Sequence, residues 1–170
     1  MNAVAWRVCA FGALLALLAP ACDGSSSRAA PSPEHRDEAT TVERIVDGDT
    51  LWVEGRERLR LIGIDTPETQ HPSKGVECFG RRASAFLGRL APVGTDVRLA
   101  YDVERRDRYG RTLAYLYRAS DGLFVNAEMV RKGYAQAYTV PPNVAHVDEL
   151  VALQAEAREK GRGLWGACGD

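Results

Sequence analysis

The sequence predicts an α+β domain, an antiparallel sheet or small barrel with helices packed among its strands. Three observations carry that prediction. Short apolar runs alternate at the two-residue period of a strand and are closed by turn pairs such as Asp47-Gly48 and Glu54-Gly55. Three other stretches place apolar residues at i, i+3 and i+4, the spacing of an amphipathic helix. The two kinds of element do not alternate as β-α-β, which points away from a doubly wound parallel sheet. At 170 residues the chain holds one domain plus appendages. Its 45% apolar and 26% charged residues rule out a disordered chain, a collagen-like fibre and a multi-pass membrane protein. Lys and Arg number 22 against 23 Asp and Glu. The molecule is therefore no polycation, and any contact with nucleic acid must rest on a local basic patch.

Residues 42–46 form the first strand, closed by Asp47-Gly48-Asp49. Residues 50–53 (TLWV) resume it, so Asp-Gly reads as a hairpin turn. Residues 58–64 (RLRLIGI) alternate: Leu59, Leu61 and Gly63 share one face, and Arg58, Arg60, Ile62 and Ile64 the other. An arginine on an otherwise apolar face is unusual, and Arg60 needs an explanation. Asp65-Thr66-Pro67-Glu68 ends that strand. Residues 75–90 carry Val76, Phe79, Ala83, Phe86, Leu87 and Leu90 at helical spacing and stop at Pro92-Val93-Gly94. Residues 96–101 and 112–118 are two strands around an arginine-rich connection. A second helix spans 124–132 and closes at Gly133, and a third spans about 147–160 and ends at Gly161.

The first 41 residues are an address and a tether. Residues 8–21 (VCAFGALLALLAPA) hold no polar group beyond Cys9, and 14 residues fall short of the ~20 needed to cross a bilayer. They fit the apolar core of a signal peptide ending at Ala19-Pro20-Ala21. Cys22 follows at once, so the segment also resembles a bacterial lipoprotein signal in which Cys22 is acylated. Lipidation at Cys22, plain secretion and a retained anchor stay open, and each places the domain outside the cytoplasm, in the cell envelope, periplasm or medium. Residues 23–41 contain no aromatic and no large aliphatic side chain, so they cannot offset chain entropy and read as a flexible linker. The division is signal peptide 1–21, linker 22–41, domain 42–170.

The chemistry gathers at acids and arginines. Asp49, Asp65 and Glu68 all lie at strand ends or turns, where they can meet. Clustered carboxylates repel unless a cation sits among them, and an all-oxygen site selects a hard ion such as Ca²⁺ or Mg²⁺. The alternative is a set of solvated turn acids. Residues 104–111 (ERRDRYGR) bring Arg105, Arg106, Arg108 and Arg111 beside Tyr109. Guanidinium forks fit phosphate oxygens, and an aromatic ring offers a base or sugar a face. The alternative there is a solvated hairpin tip. His35, His71 and His146 are isolated, and no zinc, P-loop or serine-hydrolase motif is present.

Taken together, Val-Asp-Gly-Asp-Thr (46–50), Arg-Leu-Ile-Gly-Ile-Asp-Thr-Pro-Glu (60–68), Asp-Arg-Tyr-Gly-Arg (107–111) and Val-Asn-x-x-Met-Val-Arg-x-Gly-Tyr-Ala (125–135) resemble the staphylococcal nuclease (thermonuclease) family in order and spacing. Gly163-Leu164-Trp165 resembles its usual ending. The resemblance implies a five-stranded OB-type β-barrel with three α-helices and a single Ca²⁺. It implies hydrolysis of DNA and RNA at the bond between phosphorus and the 5′ oxygen. Asp49 and Asp65 match metal carboxylates, and Thr66 a backbone-carbonyl ligand. Glu68 matches the acid beside the attacking water. Arg60 and Arg111 match the phosphate-clamping arginines. Arg108 and Tyr109 match the pair that holds a terminal phosphate, and Tyr138 an aromatic that stacks on a nucleotide. The chain departs from the pattern at Val140, where a second tyrosine is expected.

Two further expectations follow. Cys78 falls in the first turns of the predicted first helix, and Cys168 lies just past Gly163-Leu164-Trp165. In an oxidising compartment this predicts a Cys78–Cys168 disulfide, as the resemblance also implies, and leaves Cys22 unpaired for acylation. A monomer acting on DNA and RNA is expected, touching a membrane only through a lipid on Cys22. The competing reading is a non-catalytic OB-type module on the cell envelope that binds nucleic acid or protein.

Overall fold

A computed structural model describes residues 37–168 apart from 56 and 70–74. The signal segment, Cys22 and the linker up to residue 36 lie outside the described residues. In chain order the elements are β1 (Glu38–Ile45), β2 (Thr50–Val53), β3 (Glu57–Leu61), β4 (Ile64–Asp65), α1 (Gly80–Leu90), β5 (Asp96–Ala100), β6 (Thr112–Arg118), α2 (Val125–Arg131), β7 (Gln136–Ala137), α3 (Val147–Glu159) and the single-turn α4 (Leu164–Ala167).

Five strands close into a barrel in the order β1-β2-β3-β6-β5, and β4 and β7 form a separate two-stranded ribbon. Closure pairs each of these five strands on both sides, so among the described residues the barrel has no free edge. The alternation read from the sequence aims Val42, Leu51, Val53, Leu59, Leu61, Val97, Leu99, Ala114 and Leu116 into one buried core. Each large side chain buried this way stabilises the fold by roughly 1.5–3 kcal/mol before entropy is subtracted. Helix α1 adds Ala83 and Leu87 to that core, and α2 adds Val125, Ala127, Met129 and Val130. Phe86 and Tyr134 stack at 4.0 Å between ring centres and join α1 to the segment after α2. Asn126 is fully buried. Its amide accepts from Leu116 N–H at 2.9 Å and donates to the Ile62 carbonyl at 2.8 Å. It thereby ties α2 to β6 and to the turn that leads into the candidate site.

The five-stranded barrel with three longer helices agrees with the expected fold class, and four local expectations need correction. First, the linker does not run to residue 41. Glu38–Thr41 pairs with Asp96–Leu99 in β5, and Tyr101 Oη donates to Glu38 at 2.6 Å. Backbone pairing and a tyrosine partner hold a stretch that has no large apolar side chain of its own. Second, the sheet is not wholly antiparallel, because β3 and β6 pair in parallel. A crossover containing α1 and β5 separates them, and that length permits the parallel return. Third, the strand over 58–64 breaks after Leu61. Gly63 turns the chain at φ +77°, and a Cβ there would lie 2.5 Å from the Leu150 side chain. Both Ile62 and Ile64 are therefore buried together with Leu61, which strict alternation forbids. Fourth, α1 begins at Gly80 rather than 75, because Phe79 takes φ +71° and cannot continue a right-handed helix. Cys78 thus precedes the helix. It is bonded to Cys168, with Cα atoms 6.0 Å apart.

Candidate active site

The turn between β1 and β2 brings Asp49 into the barrel mouth. Val46 and Asp47 N–H both donate to the Thr50 carbonyl, and Leu61 N–H donates to the Asp49 carbonyl at 2.9 Å. Gly48 is required at this turn, since a Cβ would lie 2.8 Å from the Thr66 side chain and 2.9 Å from Ala83. That close approach lets Thr66 reach Asp49. Thr66 N–H and Oγ1 donate to Asp49 Oδ2 at 2.9 and 3.0 Å, and Thr50 Oγ1 donates to Oδ1 at 3.0 Å.

Arg60 explains itself here. It stands opposite Thr50 in the β2–β3 ladder, only 14% exposed at its side chain. One guanidinium spans both acids: Nη1 lies 3.0 Å from Asp49 Oδ2, and Nη2 donates to Asp65 Oδ1 at 2.8 Å. Nη1 also donates to the Leu61 and Ile64 carbonyls at 3.1 and 2.9 Å. The β3–β4 turn, set by Gly63, folds those carbonyls and Asp65 around the arginine. An arginine on an apolar strand is stable there because each buried polar atom has a partner.

Burial pushes the Asp49 carboxyl up to about 7, Asp47 and Asp65 add to the rise, and Arg60 and the Thr66 N–H oppose it. Glu68 is raised in the same way, by burial and then by Asp47, Asp65 and Glu77, against Arg60. These shared influences place Asp47, Asp49, Arg60, Asp65 and Glu68 in one electrostatic neighbourhood. Asp47 was not singled out by sequence reasoning; it belongs to the same Asp-Gly-Asp string and was absorbed into the turn. Among the described residues, no three His, Cys, Asp or Glu side chains converge closely enough to form a metal cage. The Asp49–Asp65 pair is bridged by Arg60 instead.

Beside this cluster lies an open groove of about 470 Å³, walled by Arg60, Arg108, Tyr109, Arg111, Tyr138 and Val140 among others. Asp107 organises one wall. It accepts from Arg111 Nε at 2.6 Å, from Arg111 N–H at 2.9 Å and from Tyr109 N–H at 2.9 Å. Burial pushes its carboxyl up, but the Arg111 guanidinium and these N–H groups outweigh that and hold it below the usual range. Arg108 lies over the Tyr109 ring, and its Nη2 donates to Tyr109 Oη at 2.8 Å. Arg106 faces away to pair with Glu57 at 2.8 Å. The other wall is hung from Gly63, whose carbonyl accepts from Tyr138 N–H at 2.9 Å. Buried Asn143 joins the walls: its amide accepts from Glu104 N–H and donates to the Glu104 carbonyl, both at 2.8 Å. Tyr109 and Tyr138 are exposed, at 69% and 54%.

The structure thus gathers Arg60, Arg108, Tyr109, Arg111 and Tyr138 on one groove, and it sets Asp49 and Asp65 on Arg60, Thr66 on Asp49, and Glu68 within their electrostatic reach. Cys22 lies outside the described residues. Sequence reasoning quoted Asp107 only as the first residue of Asp-Arg-Tyr-Gly-Arg, with no role of its own, and passed over Asn143. The signal for Asp107 was its position four residues before Arg111, an ion-pair spacing; Asn143 offered none, since its partner is 39 residues away.

The chain is similar to known proteins over most of its length. Residues 58–167 match the family described as Staphylococcal nuclease homologue. The chain is 37% identical to a thermonuclease of Staphylococcus intermedius over 156 residues, covering 90% of this chain and 91% of that one. It is 36% identical to a thermonuclease of Staphylococcus hyicus, over 73% of each chain. It is 34% identical to endonuclease YncB of Bacillus subtilis, over 76% of this chain and 62% of that protein.

Proposed function

Because the chain belongs to the staphylococcal nuclease family, we propose that it is an exported, calcium-dependent nuclease that hydrolyses phosphodiester bonds of DNA and RNA as a monomer. The observation that carries the proposal is the single guanidinium of Arg60 held between Asp49 and Asp65 at the inner end of a groove that also displays Arg111.

The donor set suits a hard cation. Asp49, Asp65 and the Thr66 carbonyl offer oxygen only, and a buried carboxyl pushed up to about 7 gains from a nearby positive charge. These residues would hold Ca²⁺, which when bound supplies charge to the non-bridging oxygens of a phosphoryl transition state. Arg60 and Arg111 present planar forks to the same oxygens, and charge develops there more in the transition state than in the ground state. Glu68, with its raised affinity for a proton, orients a water for in-line attack on phosphorus. Arg108 and Tyr109 hold a further phosphate, and Tyr138 offers its exposed ring to a base. Export is supported by the apolar segment at 8–21 and by Ala19-Pro20-Ala21; a lipid on Cys22 would add membrane attachment.

The test is degradation of single-stranded DNA and of RNA by the purified chain. Cleavage is expected with roughly millimolar Ca²⁺, the range of loosely held extracellular sites. Little is expected with Mg²⁺ and none with chelator. Equal rates with Mg²⁺ would count against the assigned ligands. No cleavage at any Ca²⁺ concentration would favour a non-catalytic OB-type binding module.

A further inference from the structure

Glu68 is held in place by its backbone. Among the described residues its carboxylate has no hydrogen-bond or ion-pair partner. Its main chain is gripped on both sides by one residue: Glu68 N–H donates to Glu77 Oε2 at 3.0 Å, and Glu77 N–H donates to the Glu68 carbonyl at 2.9 Å. The pair is a two-bond latch. A free carboxylate goes where its backbone goes, so the latch sets the location of the Glu68 side chain.

The latch is fastened at its far end. Cys78, the next residue, is bonded to Cys168. Phe79 follows with φ +71° and its ring centre 5.1 Å from that of Tyr134. Cys168 N–H donates to the Leu164 carbonyl at 2.9 Å, and Leu164 N–H donates to the Gly133 carbonyl at 2.8 Å. A continuous set of bonds therefore runs from Glu68 through Glu77, Cys78 and Cys168 to Gly133, just past α2. We infer that Glu77 is a positioning residue for Glu68, and that the Cys78–Cys168 disulfide is the tether that keeps Glu77 in register. The inference rests on the reading of Glu68 as the acid beside the attacking water. It adds that the bridge serves turnover as well as stability.

Glu77 acts as an acceptor here, so the inference turns on its oxygen rather than on its charge. Glu77→Gln keeps an amide oxygen for the Glu68 N–H, and Glu77→Ala does not. Misplacing a reacting group by about 1 Å can cost on the order of a hundredfold in rate. Steady-state cleavage of a defined single-stranded DNA with saturating Ca²⁺ tests this. Glu77→Ala is expected to lower kcat by about tenfold or more with KM within about twofold, and Glu77→Gln to retain at least half of the wild-type kcat. Cys78→Ser combined with Cys168→Ser, assayed well below its own Tm, is expected to lower kcat by about three- to tenfold with KM unchanged. In a Glu68→Gln background, Glu77→Ala is expected to add no further loss, because it acts through Glu68. An active wild type with a Glu77→Ala variant of equal kcat overturns the inference alone. So does a Glu77→Gln variant as damaged as Glu77→Ala, or a full additional loss in the Glu68→Gln background. Unchanged kcat in the double serine variant removes the tether. A wild type that cleaves nothing overturns the nuclease reading and the inference with it.

Discussion

Arg60 and Tyr138 face the same groove from two kinds of surroundings. Arg60 is 14% exposed at its side chain, with Nη1 and Nη2 held by two carboxylates and two carbonyls. Tyr138 is 54% exposed and held by its backbone N–H on Gly63, not by its ring. Beside Arg60 the polar atoms of Asp49, Thr50 and Thr66 are buried and paired, while Asp65 and Glu68 stay exposed, so much of the charge there is pre-arranged and costs little to reorganise during reaction. At the rim the side chains are exposed to a flexible substrate, and water competes for every contact. The inner residues are thus suited to rate and the rim residues to affinity. Arg111 lies between the two: its Nε is tied to Asp107 at 2.6 Å, and at 23% exposure it is half-buried in the wall.

The comparison can be broken by substitution. The largest effect is expected at Arg60→Lys, which keeps the charge but loses the planar fork that spans Asp49 and Asp65. It should lower kcat by about a hundredfold or more, the scale of losing one transition-state donor, in steady-state cleavage of DNA. Arg111→Lys should come next, with kcat down by more than about tenfold, since one of its contacts is backbone and survives the change. Equal losses at Arg60, Arg111 and an exposed arginine such as Arg82 would mean that the arginines act only as a field. Tyr138→Ala should raise KM about fivefold, near the lower end of what a base stacked on an aromatic ring contributes, with kcat kept. A stability measurement sharpens the picture on the other side of the site. Removing the Cys78–Cys168 bridge opens a 90-residue separation. Denaturant unfolding should then show a loss of about 4–5 kcal/mol if loop-closure entropy governs.

Much of this arrangement was legible in the sequence, for physical reasons that differ by residue. β2 and β6 read correctly at residues 50–53 and 112–118 because alternation and flanking turns are local. Arg60 announced itself as a charge on an apolar strand, which is tolerable only with buried partners, and the partners were there. The start of β1 was not legible, since Glu38–Thr41 is held by β5 and Tyr101 more than fifty residues away. The break at Gly63 and the late start of α1 at Gly80 each turn on a single backbone angle, which hydrophobic spacing does not encode. Asp47, Glu77, Asp107 and Asn143 look like ordinary polar loop residues until their partners are placed beside them. Supporting residues of this kind are the least legible part of any site, because their meaning lies in the fold.

The division between an inner site for rate and a rim for affinity is tested most directly by single-turnover cleavage with protein in large excess over a defined DNA. Saturation removes differences in binding and leaves the chemical step. The account predicts that a Tyr109→Ala, Tyr138→Ala double variant reaches the wild-type rate constant at saturating protein, and that Arg60→Lys stays about a hundredfold slow at every concentration. A rim variant that remains slow at saturation, or an Arg60→Lys variant that recovers, would contradict it.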